Sequence, residues 1–155
     1  MKILNIIHDS IVDGTGLRTL IFFSGCPHKC KGCHNPQSWN IQYGNNYTSE
    51  SVINEIKSNK AAQGVTLSGG DPFYQAKDII EMVRELKKMG YNVWAYTGYL
   101  FEEIIEDADK LNLLQLLDVL VDGKYVEEKR DLTLKFKGSS NQRIINVQKS
   151  LEQNE

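Results

Sequence analysis

The hydrophobic positions of the chain follow two different periods. Short continuous runs rich in β-branched and aromatic residues occur at Arg18–Phe23, residues 65–68, Asn92–Tyr96 and Val119–Asp122, and such runs are typical of buried strands. Between the runs, apolar residues recur at helical spacing, most clearly over residues 76–89. Strands that alternate with helices predict parallel pairing through helical crossovers.

Weaker signals complete the predicted elements. Thr48 or Ser49 can cap a helix that carries Val52 and Ile56 on one face. Helical stretches are expected from residue 101 to residue 117, and a last strand near residues 143–145. Eight βα units typically take about 250 residues, so this α/β chain of 155 predicts an open, partial (β/α) barrel. We expect one domain over residues 1–155.

Composition narrows the function classes. The chain is 41% hydrophobic and 25% charged, as expected of a soluble globular protein, and its formal charge of −2 favours neither nucleic acid nor a membrane surface as partner. It contains no apolar run long enough to span a membrane and no recognisable secretory signal. We therefore expect a cytoplasmic protein, with its thiols reduced.

The chain has three cysteines, Cys26, Cys30 and Cys33, all in one short segment after the first predicted strand. A disulfide would leave one of them over. Three closely spaced thiolates can instead hold a cube-shaped iron–sulfur cluster that keeps one iron open for a ligand. The alternative is a structural zinc site completed by His28 or His34.

A second motif, Gly69-Gly70-Asp71-Pro72, follows the next predicted strand. Such a pair of glycines is often only a turn, but glycines also let the backbone approach a ligand closely. Asp71 could attract a cation or cap the following helix. Because parallel strands end at one edge of a sheet, we expect this motif to lie beside the cysteines.

The C-x3-C-x2-C spacing followed by Gly-Gly-Asp-Pro resembles the radical S-adenosylmethionine enzymes. The resemblance implies a [4Fe-4S] cluster on Cys26, Cys30 and Cys33, with S-adenosylmethionine chelated by the fourth iron. It also implies cofactor contacts from residues around the last cysteine and from the second motif, namely Gly32, Cys33, His34, Gly69, Gly70 and Asp71.

Four further segments resemble one group within this family, the activating proteins of anaerobic (class III) ribonucleotide reductases. These are residues 13–18, 94–99, 121–125 and 138–143. The resemblance implies that the reduced cluster cleaves S-adenosylmethionine to methionine and a 5′-deoxyadenosyl radical. That radical takes a hydrogen from a glycine of the large subunit of the anaerobic ribonucleoside-triphosphate reductase. A low-potential electron donor such as flavodoxin is implied as a second partner.

Other interpretations stay open from the sequence. The chain could activate another glycyl-radical enzyme such as pyruvate formate-lyase, catalyse a small-molecule radical reaction such as deazapurine carboxylate formation, or serve as a non-catalytic zinc-binding interaction module. We expect no catalytic proton transfer from a side chain, and we interpret His8 and His28 as solvent-facing loop residues. Weaker cofactor or partner candidates are Thr97, Gly98, Asn141 and Arg143.

Overall fold

A mixed sheet of seven strands runs through the part of the chain that our computed structural model describes, residues 1–33 and 36–153. Its strand order is β3-β1-β2-β4-β5-β6-β7. The strands are β1 (Lys2–Ser10), β2 (Arg18–Phe23), β3 (Asn45–Asn46), β4 (Gly64–Gly69), β5 (Asn92–Tyr96), β6 (Val119–Asp122) and β7 (Arg143–Asn146).

The centre of the sheet is parallel. β2 pairs with β4, β4 with β5 and β5 with β6, all in the same direction. The carboxyl ends of these four strands therefore meet along one edge, which we call the rim. The α/β class and the parallel pairing predicted for these strands are confirmed.

Helices cover one face of the sheet. Side chains from alternate strand positions, such as Val65 and Leu67, share a continuous apolar core with helix residues such as Ile79 and Leu86. None of the helices in the described residues is both long and apolar enough to cross a membrane. The helices are α1 (Ser49–Ser58), α2 (Ala76–Lys88), α3 (Phe101–Ile104), α4 (Ala108–Leu114) and α5 (Val147–Gln153).

Arg18 fills the opposite face of the sheet near the amino ends of the strands. Its buried guanidinium donates to Thr66 Oγ1 at 2.8 Å, to the Thr15 carbonyl at 2.9 Å and to two more carbonyls, and it lies over the Trp94 ring. Burial lowers the pKa of Arg18 to about 10. A Cβ on Gly14 would come within 2.7 Å of the Arg18 side chain, so segment 13–18 closes this end of the sheet.

The outer strands differ from the prediction. β1 runs antiparallel to β2, and β3 antiparallel to β1, although neither was expected as a strand. The expected last strand, β7, is also antiparallel to its neighbour β6. The connection between β6 and β7 has one short 3-10 turn, Glu127–Lys129, and no crossover helix, and without a crossover the chain returns antiparallel. Within the described residues, β3 and β7 are the edges of an open sheet.

Candidate functional site

Four loops at the rim enclose one cavity, which we call the rim cavity. The cysteine loop after β2 contributes all three cysteines and His28, and the ends of β4 and β5 contribute residues 68–70 and 96–98. Residues of the connection between β6 and β7 complete the wall, namely Gly123, Tyr125, Gly138 and Gln142. The predicted meeting of the cysteines with Gly69 and Gly70 is therefore present in the structure.

The cysteine loop is held by backbone hydrogen bonds at its base. Gly25 N–H donates to the Ser38 carbonyl at 2.6 Å, and Cys26 N–H donates to the Trp39 carbonyl at 3.2 Å. At the far end, Cys33 N–H donates to the Cys30 carbonyl at 3.1 Å. The three cysteines are half-buried, and no disulfide joins them in this described part of the chain. Their side chains are thus presented to the cavity by a fixed loop.

Burial raises the pKa of the Cys26 and Cys30 thiols. Backbone N–H groups oppose this shift, those of His28 and Lys29 at Cys26 and that of Tyr125 at Cys30. Donors directed at sulfur favour the thiolate and are one of the means by which proteins tune iron–sulfur centres. Metal binding at these two thiols would therefore have to displace the protons that burial retains.

Gly69 and Gly70 are required by the close approach of two loops. Gly69 has a φ of +100°, and a Cβ at that position would lie 2.3 Å from the backbone nitrogen of Phe23. A Cβ on Gly70 would lie 2.5 Å from the Gly25 carbonyl oxygen. Gly70 N–H donates to the Phe23 carbonyl at 2.7 Å, so the two glycines press this turn against the cysteine loop.

Asp71 is buried, and its carboxylate is directed into the loops rather than into the cavity. It accepts hydrogen bonds from Thr97 Oγ1 at 2.8 Å, from Gly98 N–H at 2.9 Å and from Phe73 N–H at 3.0 Å. The last of these caps the 3-10 helix Pro72–Gln75, the alternative role that the sequence offered. A direct contact from Asp71 to a cofactor stays a prediction.

His28 corrects the prediction of a solvent-facing histidine. Its side chain is only 6% exposed, and Nε2 lies 2.7 Å from Asp71 Oδ2. The ring packs edge-on against Tyr99, with centroids 4.5 Å apart. Gly98 leaves room for it, since a Cβ there would lie 2.3 Å from the ring. His28 thus joins the cysteine loop to the loops after β4 and β5. His8 is partly exposed and pairs with Glu55 at 2.9 Å.

Two other predicted contact residues flank the last cysteine. Gly32 has a φ of +76°, and a Cβ there would lie 2.8 Å from the Glu127 carboxylate carbon, so this glycine faces a neighbouring loop. Its contact with a cofactor stays a prediction. His34 lies outside the described residues.

The late motif at residues 138–143 holds the rim together. Gln142 Oε1 accepts from Gly138 N–H at 2.9 Å, while its Nε2 donates to the Gly123 carbonyl at 3.0 Å. Arg143 forms an ion pair with buried Asp122 and another with Glu102. Asn141 also bonds to this loop, through the Lys124 carbonyl at 2.8 Å. The weaker candidates in this motif therefore serve the cavity wall.

Sequence reasoning missed several lining residues because their signals are not local. Tyr96 lines the cavity, and its buried hydroxyl has no hydrogen-bond partner among the described residues. Ser68 and Gln142 also line it. Their positions at or beyond strand ends were one available signal, since residues at a rim tend to face ligands. Tyr96 and Gln142 also lie in segments 94–99 and 138–143, which carry the resemblance.

Within residues 1–33 and 36–153, the donor set fits an iron–sulfur cluster better than a single zinc ion. Zinc needs its four ligands to meet at one point. Within residues 1–33 and 36–153, no three Cys, His, Asp or Glu side chains lie close enough to hold one ion, and His28 is engaged by Asp71. A cluster instead takes its thiolates on separate irons, which suits three cysteines that line one cavity.

Comparison with known proteins supports an iron–sulfur cluster in this chain. A family model described as "4Fe-4S single cluster domain" matches residues 12–145. The anaerobic ribonucleoside-triphosphate reductase-activating protein of Escherichia coli K12 is 37% identical over 140 residues, covering 85% of this chain and 90% of that protein. Proteins of the same name match from Haemophilus influenzae, at 35% identity over 93% of this chain and 97% of the relative, and from phage T4, at 40% over 86% of each.

This chain belongs to the family of anaerobic ribonucleoside-triphosphate reductase-activating proteins. The resemblance found in the sequence is thereby confirmed, as are the predicted cofactors, a [4Fe-4S] cluster and S-adenosylmethionine, at the level of the family. Membership also removes the zinc-binding module from the plausible functions.

A solved structure shares the fold. The crystal structure of QueE from Escherichia coli aligns with a TM-score of 0.53 and 20% sequence identity, over 63% of this chain and 52% of that chain. At this identity the likeness concerns the fold alone. It supports the α/β fold described above.

Proposed function

We propose that this protein is a radical S-adenosylmethionine enzyme, built on an open partial (β/α) barrel over residues 1–155, that activates the anaerobic ribonucleoside-triphosphate reductase. It generates a glycyl radical on the large subunit of that enzyme. The observation that carries the proposal is that three cysteines and the Gly69-Gly70 turn line one rim cavity, in a chain whose relatives are named as activators of this reductase.

The residues divide the work as follows. Cys26, Cys30 and Cys33 hold the cluster. Backbone groups of Gly69 and Gly70, which line the cavity, accept hydrogen bonds from the ammonium group of S-adenosylmethionine. When bound, the reduced cluster supplies the electron that cleaves a carbon–sulfur bond of S-adenosylmethionine, which allows a hydrogen atom to be taken from the target glycine.

Other residues hold the site rather than touch the reacting atoms. Asp71 receives donors from His28, Thr97 and Gly98, so it fixes the loops after β2, β4 and β5 relative to one another. This fixed geometry supports close placement of cofactor and target, on which the rate of hydrogen transfer depends. Gly32 and His34 are proposed to contact the adenosyl group.

The cellular compartment and the electron donor are part of the same proposal. The protein works in the cytoplasm, where thiols stay reduced, and receives its electron from a low-potential donor such as flavodoxin. A reducing compartment suits three cysteines that are not joined by a disulfide.

The cluster assignment is tested on anaerobically reconstituted protein. Cys26→Ala, Cys30→Ala and Cys33→Ala should each abolish the intact cluster, measured as iron and sulfide content and as electron paramagnetic resonance of the reduced protein. Wild type should contain about four irons per chain, as expected for a [4Fe-4S] cluster. A variant that keeps a full cluster would remove its cysteine from the ligand set.

The activity is tested with the reductase itself. Reduced protein with S-adenosylmethionine should release 5′-deoxyadenosine, and adding the large subunit should produce a glycyl radical. With a partner deuterated at the glycine α-carbon, the α-proton splitting should vanish and deuterium should appear in the 5′-deoxyadenosine. Cofactor cleavage that activates pyruvate formate-lyase but leaves no radical on the reductase would contradict the proposed partner.

A further inference from the structure

The cysteine loop has a second accessible side. A groove on the outside of the molecule, which we call the outer groove, is lined by residues of the cysteine loop and of the segments that pack on it, among them Cys26, Lys29, Trp39, Tyr43 and Tyr74. Cys26 lines both this groove and the rim cavity. The outer groove therefore brings a partner surface to one of the proposed cluster ligands without passing through the cavity.

Three aromatic residues, Trp39, Tyr43 and Tyr74, line the outer groove. Tyr43 is 65% exposed and Tyr74 is 51% exposed, which is high for large side chains that line one groove. The buried Nε1 of Trp39 has no hydrogen-bond partner in the described part of the chain. Exposed tyrosines are features of protein-binding surfaces, where aromatic residues are enriched.

The charge of this region is one-sided. The chain has 20 Asp and Glu residues among 155, yet none lies between Asp13 and Glu50, the stretch that contains the whole cysteine loop. Lys29 and Lys31 are exposed there. Among the described residues that line the groove, Lys29 is the only charged one. In a protein of net charge −2, the described residues that line the outer groove therefore include a cation and no carboxylate, which complements an acidic partner.

We propose that the outer groove is the docking surface for an acidic one-electron donor protein, one that carries a flavin or an iron–sulfur centre. This inference rests on the proposed function, in which the rim cavity is taken by S-adenosylmethionine and the target glycine, so that the electron arrives from the other side. In the step, the donor is oxidised by one electron and the cluster is reduced by one. No bond is made or broken and no proton moves.

The test compares two reductants on the full, cluster-loaded chain, with reduced flavodoxin as the protein probe and dithionite as the chemical one. Lys29→Gln removes the charge of the groove, and Tyr43→Glu places a carboxylate in it. Lys60→Gln is the matched control, because Lys60 is exposed and lines a separate surface depression with Gly90. The readouts are the rate of cluster reduction by stopped-flow absorbance and its dependence on salt.

Flavodoxin should reduce the cluster of both groove variants about three- to tenfold more slowly than that of wild type at low salt. Dithionite should reduce both variants at the wild-type rate, and flavodoxin should reduce Lys60→Gln at the wild-type rate. Because Lys29 lies between two proposed ligands, the cluster potential of that variant is measured as well. If Lys29→Gln takes up little cluster, the Tyr43→Glu variant alone tests the proposal. If flavodoxin reduces Tyr43→Glu at the wild-type rate, the proposed docking surface is wrong. It is also wrong if the groove variants lose affinity for the reductase but not for flavodoxin. Failure of dithionite-reduced wild type to cleave S-adenosylmethionine would instead refute the proposed function.

Discussion

The buried pair of His28 and Asp71 makes a quantitative prediction about the stability of the site. Nε2 of His28 lies 2.7 Å from Oδ2 of Asp71, with side-chain exposures of 6% and 0%. Three variants perturb the pair in graded ways. Asp71→Asn replaces one carboxylate oxygen with a donor, His28→Ala removes the histidine donor, and His28→Gln keeps an amide donor near the position of Nε2.

The structure ranks these variants. Oδ1 of Asp71 accepts from Phe73 N–H, and Oδ2 accepts from Gly98 N–H and His28. Whichever way an asparagine amide turns, its NH2 group faces one of these N–H donors. We therefore expect Asp71→Asn to lower the free energy of unfolding by about 3–5 kcal/mol, because a buried donor loses its acceptor and the other hydrogen bonds lose their charged acceptor, each such bond being worth about 1.5–3 kcal/mol.

His28→Ala should cost less, because the carboxylate keeps its donors from Thr97, Gly98 and Phe73. Loss of one charge-assisted hydrogen bond predicts about 1.5–3 kcal/mol. His28→Gln should recover part of this loss. Since total stability of a domain is about 5–15 kcal/mol, the differences are measurable.

Urea denaturation of the anaerobic apoprotein is the assay, because a bound cluster would add its own binding free energy. His8→Ala is the matched control. Its Nε2 also meets a carboxylate, that of Glu55 at 2.9 Å, but the Glu55 side chain is 50% exposed, so the pair is worth about 0–1 kcal/mol. If Asp71→Asn unfolds within 0.5 kcal/mol of wild type, or His8→Ala costs as much as His28→Ala, the reasoning about the pair is wrong.

Three further predictions follow from the site. Gly70→Ala should lower the free energy of unfolding by about 1–3 kcal/mol and reduce cluster loading, because the new Cβ meets a backbone oxygen at 2.5 Å. Denaturation curves and iron content measure the two effects, and unchanged loading would contradict the prediction. Arg143→Gln should cost about 1–3 kcal/mol in urea unfolding, since fully buried Asp122 loses its ion pair; an unchanged midpoint would refute this. Burial raises the pKa of the Cys26 and Cys30 thiols, so iron loading displaces protons and reconstitution should improve from pH 7 to about 9. For the same reason the apoprotein should lose stability as the pH rises past the ordinary thiol pKa of about 8.5. Iron yield and unfolding curves measured at each pH test the two directions.

Local pattern was sufficient for the central elements. The strands Arg18–Phe23, Asn92–Tyr96 and Val119–Asp122 have the predicted bounds, and α2 ends at Lys88, one residue before the predicted end. These segments are buried, so their hydrophobic period reports their structure directly. The cysteine motif could also be recognised from the sequence alone, since its chemistry depends on three residues within one loop.

The sequence pattern predicted the edge strands of the sheet less well. β1 exposes alternate side chains, and β3 is two residues long, so neither carries a continuous apolar run. The direction of β7 depends on whether a helix intervenes before it, and the polar connection from residue 123 to residue 142 contains no such helix.

Sequence alone therefore determined the parallel centre of the sheet, the cysteine ligand set as a hypothesis and the family that the motifs resemble. Only the tertiary structure decided that His28 is buried against Asp71, 43 residues away, and that Gly70 packs on the cysteine loop. The reason is physical. Periodicity records which face of an element is buried, whereas a hydrogen bond between two loops depends on strand order and register, which bring distant residues together only when the whole sheet is formed.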